Sequence, residues 1–240
     1  MNMARRFIVE GNPEGRFTIA EKEARHIFVL RHKVGDVIQV NNKLCEIIAM
    51  QKDEVICDVV GEAEIRGVPD TKITLFQALL KADKMEFVIQ KAVELGVTSV
   101  VPFVSKNVVV KLEGKDKAKK SERWNKISVE ASKQCGRSDI VPVSEILSFE
   151  EMLTTFQEYD LVLFAYENEK ESLKEVLQGR GKGKRIAVVI GAEGGFDATE
   201  AERVMKAGEN VKSVSLGDRI LRAETASLFL LSVLMYECEE

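Results

Sequence analysis

A small β-barrel followed by a parallel α/β domain is the fold class predicted by this 240-residue sequence. Three observations predict it. Several short apolar strands crowd into the first 65 or so residues, as in small barrels. From Lys72 onward, strand-like and helix-like runs alternate, the pattern of a parallel sheet wound with helices. Arg185–Ile190 is a solid apolar run, as expected when both faces of a strand are covered.

The elements follow in chain order. Arg6–Val9 is a short strand and Ala20–Leu30 a short helical pattern. Val34-Gly35-Asp36 is a turn and Val37–Val40 a strand. Leu44–Met50 and Glu54–Val60 form a hairpin with the three-residue loop Gln51-Lys52-Asp53. Arg66-Gly67-Val68-Pro69-Asp70 is the best linker, because Gly and Pro punctuate it, and it separates domains 1–68 and 72–240. Strand Lys72–Leu79 leads to helix Lys84–Leu95, which has Met85, Val88, Ile89, Ala92 and Val93 on one face and Gly96 as its stop. Strand Val97–Val104, the long helix Ala118–Cys135, strand Asp160–Ala165 and helix Glu169–Leu177 come next. Strand Arg185–Ile190, helix Thr199–Ala207, strand Val211–Ser215 and a last helix from about Glu224 to Tyr236 complete the chain. That last helix is apolar nearly all round, so it is expected to be covered by its own sheet and by another subunit, or else fully buried within one domain.

Composition excludes several classes. With 45% hydrophobic and 31% charged residues the chain is an ordinary globular one, and disordered, collagen-like and low-complexity proteins are ruled out. No stretch approaches the roughly 18 apolar residues of a membrane span. The N-terminal basic residues are followed by no long apolar core, so a signal peptide is not expected and a cytoplasmic location is. The four cysteines lack C-x-x-C spacing and there are only two histidines, so neither a metal site nor a disulfide framework is expected. Cys45, Cys57, Cys135 and Cys238 read as reduced packing residues. The net charge of −4 argues against a general nucleic-acid binder, yet residues 72–137 carry fourteen Lys/Arg against seven Asp/Glu. A basic band on an acidic protein suggests a localised polyanion footprint, although a lysine-rich solvated helix accounts for part of it.

Ligands of open parallel sheets sit beyond the carboxyl ends of the strands. Three such ends stand out. One is Phe164-Ala165-Tyr166-Glu167. Another is Ile190-Gly191-Ala192-Glu193-Gly194-Gly195-Phe196-Asp197, whose glycines let a backbone approach a ligand closely. Glu193 would repel a phosphate, so a phosphate-free adenosine ligand fits it better; a turn needing glycine for geometry alone is the other reading. Asp197 and Glu200 resemble a capping box. The third end, Leu216–Ala226, puts Arg219 and Arg222 among apolar residues before a helix, where they could hold an anion or simply pair with Asp218 and Glu224. On helix 118–135, Glu130, Gln134 and Arg137 fall at i, i+4 and i+7, either an RNA-facing surface or a solvated side. The loop Gly179–Arg185 lacks phosphate-loop spacing and reads as surface.

These motifs together resemble the RsmE family of small-subunit ribosomal RNA methyltransferases, in the SPOUT superfamily. The likeness runs over essentially the whole chain. It is carried by Arg25-His26, Leu30-Arg31 and Gly35-Asp36, then by Gln77-Ala-Leu-Leu-Lys81-Ala-Asp83-Lys84-Met-Glu86 and Gln90-Lys-Ala-Val-Glu94-Leu-Gly96. It continues through Arg123-Trp124, Glu130-Ala131, Gln134 and Arg137, and is most specific at Ile190–Phe196 and Leu216–Ala226. Ala192 and Leu80 stand where the family pattern often has proline, which loosens a turn and removes no functional group. The resemblance implies a PUA-like barrel, a SPOUT domain whose C-terminal segment forms a trefoil knot, and a homodimer. It implies S-adenosylmethionine bound by Phe164, Tyr166, Gly191, Glu193, Gly194, Gly195, Leu216, Gly217, Ile220, Leu221, Arg222, Thr225 and Ala226. The implied product is N3-methyluridine near the decoding centre of 16S rRNA, as free RNA or in the small ribosomal subunit. Uracil N3 must lose its proton to attack the methyl group, so Arg222 is expected to stabilise the base anion and Glu224 or Glu130 to accept the proton. Arg6, His26, Arg31, Lys84, Arg123, Gln134 and Arg137 are the expected RNA contacts. The rival readings are another target atom on RNA, a noncatalytic assembly factor of the same fold, and a nicotinamide-dependent oxidoreductase. The last is disfavoured by the missing G-x-G-x-x-G.

Overall fold

The computed structural model describes residues 6–110, 114–166, 172–177 and 184–239. Two compact units are present: Met1–Gly67 with Lys133–Asp139, and Val68–Ser132 with Ile140–Glu240.

The smaller unit holds β1 (Arg6–Phe7), β2 (Arg16–Ala20), α1 (Glu21–Val29), β3 (Val37–Val40), β4 (Lys43–Gln51) and β5 (Glu54–Glu62). Their order in the sheet is β1-β3-β4-β5-β2, antiparallel except for β1 on β3. Register shifts between Leu44/Cys45 and Ile47/Ala49 interrupt the long β4–β5 ladder, and such bulges raise the twist that curls a sheet towards a barrel. Gln51 pairs with Glu54, so the hairpin loop is two residues rather than the three expected. Strand β2 escapes the sequence pattern because only Ile19 of its five residues is buried. Phe7, Ile19, Ile27, Ile38, Val40, Ile47 and Val55 fill the core with Cys45 and Cys57, and burial pushes the Cys57 thiol up to about 12. Cys135 departs from the packing expectation and is exposed.

The linker at Arg66 is fastened rather than free. The Arg66 N–H donates to Ser138 Oγ at 2.7 Å, and the Ser138 N–H donates to the Arg66 carbonyl at 2.8 Å.

Helix α1 ends in a Schellman motif: the Arg31 N–H donates to the Phe28 carbonyl at 2.9 Å and the His32 N–H to the Ile27 carbonyl at 3.3 Å. Arg31 therefore occupies the left-handed position, at φ 60°, that glycine normally takes. Arg31→Gly is expected to stabilise this unit by about 1 kcal/mol. Slower hydrogen exchange of the β4 amides in urea is the readout; unchanged or faster exchange contradicts it.

The larger unit holds β6 (Lys72–Ala78), α2 (Lys84–Glu94), β7 (Ser99–Val104), α3 (Lys115–Cys135, whose last residues belong to the smaller unit), β8 (Leu147–Ser148), α4 (Phe149–Thr154), a 3-10 turn (Thr155–Glu158), β9 (Leu161–Ala165), α5 (Leu173–Leu177), β10 (Arg185–Ile190), α6 (Ala198–Met205), β11 (Val211–Val214) and α7 (Ala223–Glu239). The six strands are all parallel, in the order β11-β9-β10-β6-β7-β8. Strand alternation splits the core in two. Ile73, Leu75, Leu163, Ile186, Val188 and Ile190 join Val88 and Ile89 of α2 and Leu230, Leu231 and Leu234 of α7. Phe76, Ala78, Val162, Phe164, Ala187 and Val189 join Met152 of α4 and Val204 of α6.

Residues 147–158 hold elements the sequence reading passed over, because a two-residue strand and a six-residue helix are too short to show a period. Their one signal was Ser148 three residues before Glu151, which is a complete capping box. Helix 169–177 is observed as Leu173–Leu177; residues 169–171 lie outside the described residues, as do Glu167 and most of the Gly179–Arg185 loop.

Candidate active site

A cleft of about 710 Å³ opens beyond the carboxyl ends of β9, β10 and β11. Its first wall is the turn that follows β10. The Gly195 N–H donates to the Ala192 carbonyl at 3.0 Å, and Gly195 turns at φ +64°. A Cβ on Gly191 would stand 3.0 Å from the Phe196 ring, and one on Gly194 3.1 Å from Asn107 Cβ, so both glycines let the chain pass where a side chain would collide. Asn107 Nδ2 also donates to the Gly194 carbonyl at 3.1 Å.

The turn runs straight into α6 through the expected capping box. Asp197 Oδ1 accepts from the Thr199 N–H at 3.1 Å, and Glu200 Oε2 from the Asp197 N–H at 3.4 Å. Lys106 Nζ lies 2.7 Å from Asp197 Oδ2. Lys106, Thr199 and the Thr199 N–H hold the Asp197 carboxyl down at about 2, below its usual 3.8. A depressed carboxyl stabilises the fold above its ordinary pKa and loses that contribution as pH falls through the folded value. The wild type is therefore expected to lose stability relative to Asp197→Asn between about pH 4 and pH 2, read by urea denaturation at each pH; parallel curves contradict this.

The opposite wall is the segment from Val214 into α7. Leu216, Gly217, Ile220, Leu221, Arg222 and Ala226 all line the cleft, with Tyr166 from the end of β9. Gly217 sits at φ +103°, a glycine conformation, and Ile220 is 92% exposed at the mouth. Gly191, Glu193, Gly194 and Gly195 line it from the first wall. Two expected cofactor residues do not. Phe164 is fully buried in the sheet core, its ring 5.4 Å from that of Tyr166 and 4.9 Å from that of Phe196, and so acts as the floor behind the site. Thr225 faces solvent on the first turn of α7 and is absent from the lining.

Charges meet where the walls approach each other. Lys84 Nζ lies 3.5 Å from Glu193 Oε1 and 3.3 Å from Glu224 Oε1. Burial works to raise the Glu193 carboxyl, but the N–H groups of Lys81 and of Glu193 itself, with Lys84, hold it below the usual range. Glu224 Oε2 is enclosed and accepts no hydrogen bond among the described residues. Lys84, expected on RNA, is thus engaged by two carboxylates at the cleft.

The remaining expected residues scatter. Glu130 and Gln134 are exposed on α3 and lie outside the cleft lining. Arg137 does not continue their face: α3 ends at Cys135, Gly136 turns at φ +77°, and the Arg137 side chain is buried, its Nε 2.8 Å from Asp139 Oδ1. The Arg137 guanidinium, expected on RNA, is thus turned inward and engaged by Asp139. Arg6 is half-buried and donates to the carbonyls of Arg137 and Ser138, the latter at 2.9 Å, which makes it structural. Arg123 is exposed and paired with Glu86 at 2.7 Å. His26 and Arg31 are exposed on the smaller unit.

Sequence reasoning gave no role to Gln77, Lys106, Asn107 or Ser227, which grip the two walls from behind. Their signal was position alone: each lies at a strand end or in the first turns of a helix.

The donor set suits a nucleoside without phosphates. The glycine turn offers backbone, Leu216, Ile220 and Leu221 offer apolar surface, and the Glu193 carboxylate in the lining disfavours phosphate. Residues 68–235 match the family model for the RNA methyltransferase domain. The ribosomal RNA small subunit methyltransferase E of Bacillus subtilis is 36% identical over 235 residues, covering 93% of this chain and 91% of its own. The chain belongs to this methyltransferase E family. The Mesomycoplasma hyopneumoniae member is 32% identical over 95% of this chain and 97% of its own. The crystal structure of a family member from Neisseria gonorrhoeae bound to S-adenosyl methionine superposes with a TM-score of 0.85 at 28% identity, over 96% of each chain. Among the described residues no helix is long and apolar enough to cross a membrane, and no group of three His, Cys, Asp or Glu could hold a metal.

Proposed function

We propose that the protein transfers the methyl group of S-adenosylmethionine to N3 of a uridine in the decoding region of 16S rRNA. Membership of the methyltransferase E family supports the reaction class. The observation that carries the reading is the cleft itself, in which the glycine turn and the Leu216–Ala226 segment face one ligand volume.

When bound, S-adenosylmethionine supplies a methyl group already activated on sulfonium. The chain's own residues then orient and handle a proton. Gly191, Gly194 and Gly195 present backbone to the adenosine, while Leu216, Ile220 and Leu221 exclude water around it. Arg222, exposed at the cleft and without an ion-pair partner among the described residues, stabilises the negative charge that develops on the uracil ring. Glu224, whose Oε1 lies 3.3 Å from Nζ of the cleft residue Lys84, takes the N3 proton. Glu224 is preferred to Glu130 because, although neither lines the cleft, Glu224 is paired with Lys84, which does, whereas Glu130 is exposed on α3. N3 lies on the pairing edge, so the uridine enters unpaired or extruded.

The same reading makes residues 1–68 a PUA-like RNA-binding domain presenting His26 and Arg31, and residues 72–240 a SPOUT domain closed by a trefoil knot. It pairs two copies through α7, where Phe229 is 43% and Tyr236 66% exposed. The test is incubation with labelled methyl donor and unmodified small subunits or rRNA, followed by nucleoside mass spectrometry. N3-methyluridine is the expected product; another methylated nucleoside overturns the target, and none at all overturns the reading.

A further inference from the structure

Gln77 is a polar residue where the fold calls for an apolar one. It is the sixth residue of β6, on the same sheet face as Ile73 and Leu75, and it is completely buried. Its neighbour in register is Ile190, the last residue before the glycine turn. A buried amide is tolerated only when its donors and acceptor are met, and here they are. Nε2 donates to the Gly191 carbonyl at 3.2 Å and to the Ala78 carbonyl at 3.1 Å. Oε1 accepts from the Ser227 hydroxyl at 2.5 Å. Reversing the amide would aim its oxygen at two carbonyl oxygens, so the network fixes its orientation. Ser227, also fully buried, lies in the second turn of α7, and its hydroxyl stands 2.9 Å from the Ala223 carbonyl.

One side chain therefore touches both walls of the cleft. Gly191 opens the first wall, and Ser227 immediately follows Ala226, the last cleft-lining residue of the second. We propose that Gln77 is a positioning residue that couples the glycine turn to the start of α7, holding the two walls at the spacing the methyl donor requires. The inference rests on the methyl-donor reading of the cleft. Gln77 does not line the cleft and touches no substrate. It acts through Gly191 and Ser227, so its loss costs pre-organisation of a bound geometry rather than a contact.

Two variants and two readouts test this. Gln77→Met keeps the volume and removes the polar atoms; Ser227→Ala removes one hydroxyl and leaves the amide on Gly191. In the free protein, Ser227→Ala is expected to speed hydrogen exchange at residues 191–195, a segment that Ser227 reaches through Gln77. In calorimetry, Gln77→Met is expected to weaken S-adenosylmethionine by about tenfold and Ser227→Ala by about threefold. The double variant is expected to be no worse than Gln77→Met alone, because both changes break one path. The KM for RNA is expected to stay unchanged. Unaltered exchange at 191–195 in Ser227→Ala overturns the coupling, and this variant decides if Gln77→Met does not fold. Donor affinity in a folded Gln77→Met within twofold of wild type overturns it as well. If the wild type binds no donor, the reading of the cleft falls, whereas the exchange result still decides whether the walls are coupled.

Discussion

Arg222→Ala is expected to lower turnover about a hundred- to a thousandfold while S-adenosylmethionine affinity changes by no more than a few-fold. The two parts of the cleft do different work. In the proposed function, affinity for the donor comes from the glycine turn and the apolar side chains of the second wall, which line the cleft independently of the Arg222 guanidinium. Its backbone carbonyl accepts the Ala226 N–H at 2.8 Å and so helps start α7, a bond that alanine keeps. The exposed guanidinium has no ion-pair partner among the described residues, so its charge is available to an incoming base. Neutral uracil gains little from that charge, and the base losing its N3 proton gains much, which is the differential binding that lowers a barrier. Arg219→Ala is the control, because Arg219 is equally exposed and lines the same loop. Single-turnover rates with saturating donor and RNA, beside calorimetry, separate the outcomes. Equal loss of donor affinity and rate would make Arg222 a binding residue, and an Arg219→Ala defect as large would make the effect one of loop charge.

Legibility in the sequence followed the length scale of each signal. Strand β10 was readable to the residue because a solid apolar run admits little else, and α2 because five buried positions repeat on one face and Gly96 stops it. The glycine turn and the Leu216–Ala226 segment were readable because glycines at a strand end and a cation before a helix are local patterns. What failed was any inference that carried a local pattern across a break. The i, i+4, i+7 reading placed Arg137 on α3, but the helix stops two residues earlier and the side chain turns inward to Asp139. Lys84 read as an RNA contact because the carboxylates that hold it come from residues 193 and 224, more than a hundred positions away. Phe164 stood at the right strand end but on the inward side of the pleat. Gln77 lay within a quoted motif without a role, since nothing local says which distant carbonyl and hydroxyl its amide will meet.

Gly191→Ala should weaken donor binding about tenfold to a hundredfold, through a collision that can be traced and repaired. The added Cβ would stand 3.0 and 3.1 Å from two atoms of the Phe196 ring. At that distance one side must move. Phe196 is 7% exposed, its ring stacked 6.2 Å from Phe103 and edge-on 4.9 Å from Phe164, so it has nowhere to go without opening the core. The turn gives instead, and with it the backbone of the first wall. Gly217→Ala disturbs the other wall by a different route: no atom lies within 4 Å of its added Cβ, but φ +103° is strained for any residue other than glycine. The two defects should respond differently to Phe196→Leu. Shortening the ring relieves the collision at 191 and leaves the torsion at 217 untouched, so Gly191→Ala/Phe196→Leu should bind donor more tightly than Gly191→Ala, while Gly217→Ala/Phe196→Leu should bind no better than its parent. Gly61→Ala, whose Cβ meets nothing within 4 Å and needs no positive φ, should leave donor affinity at the wild-type value. Absence of rescue at 191 would mean that backbone freedom, rather than the close pass over Phe196, is what the first glycine of the turn supplies.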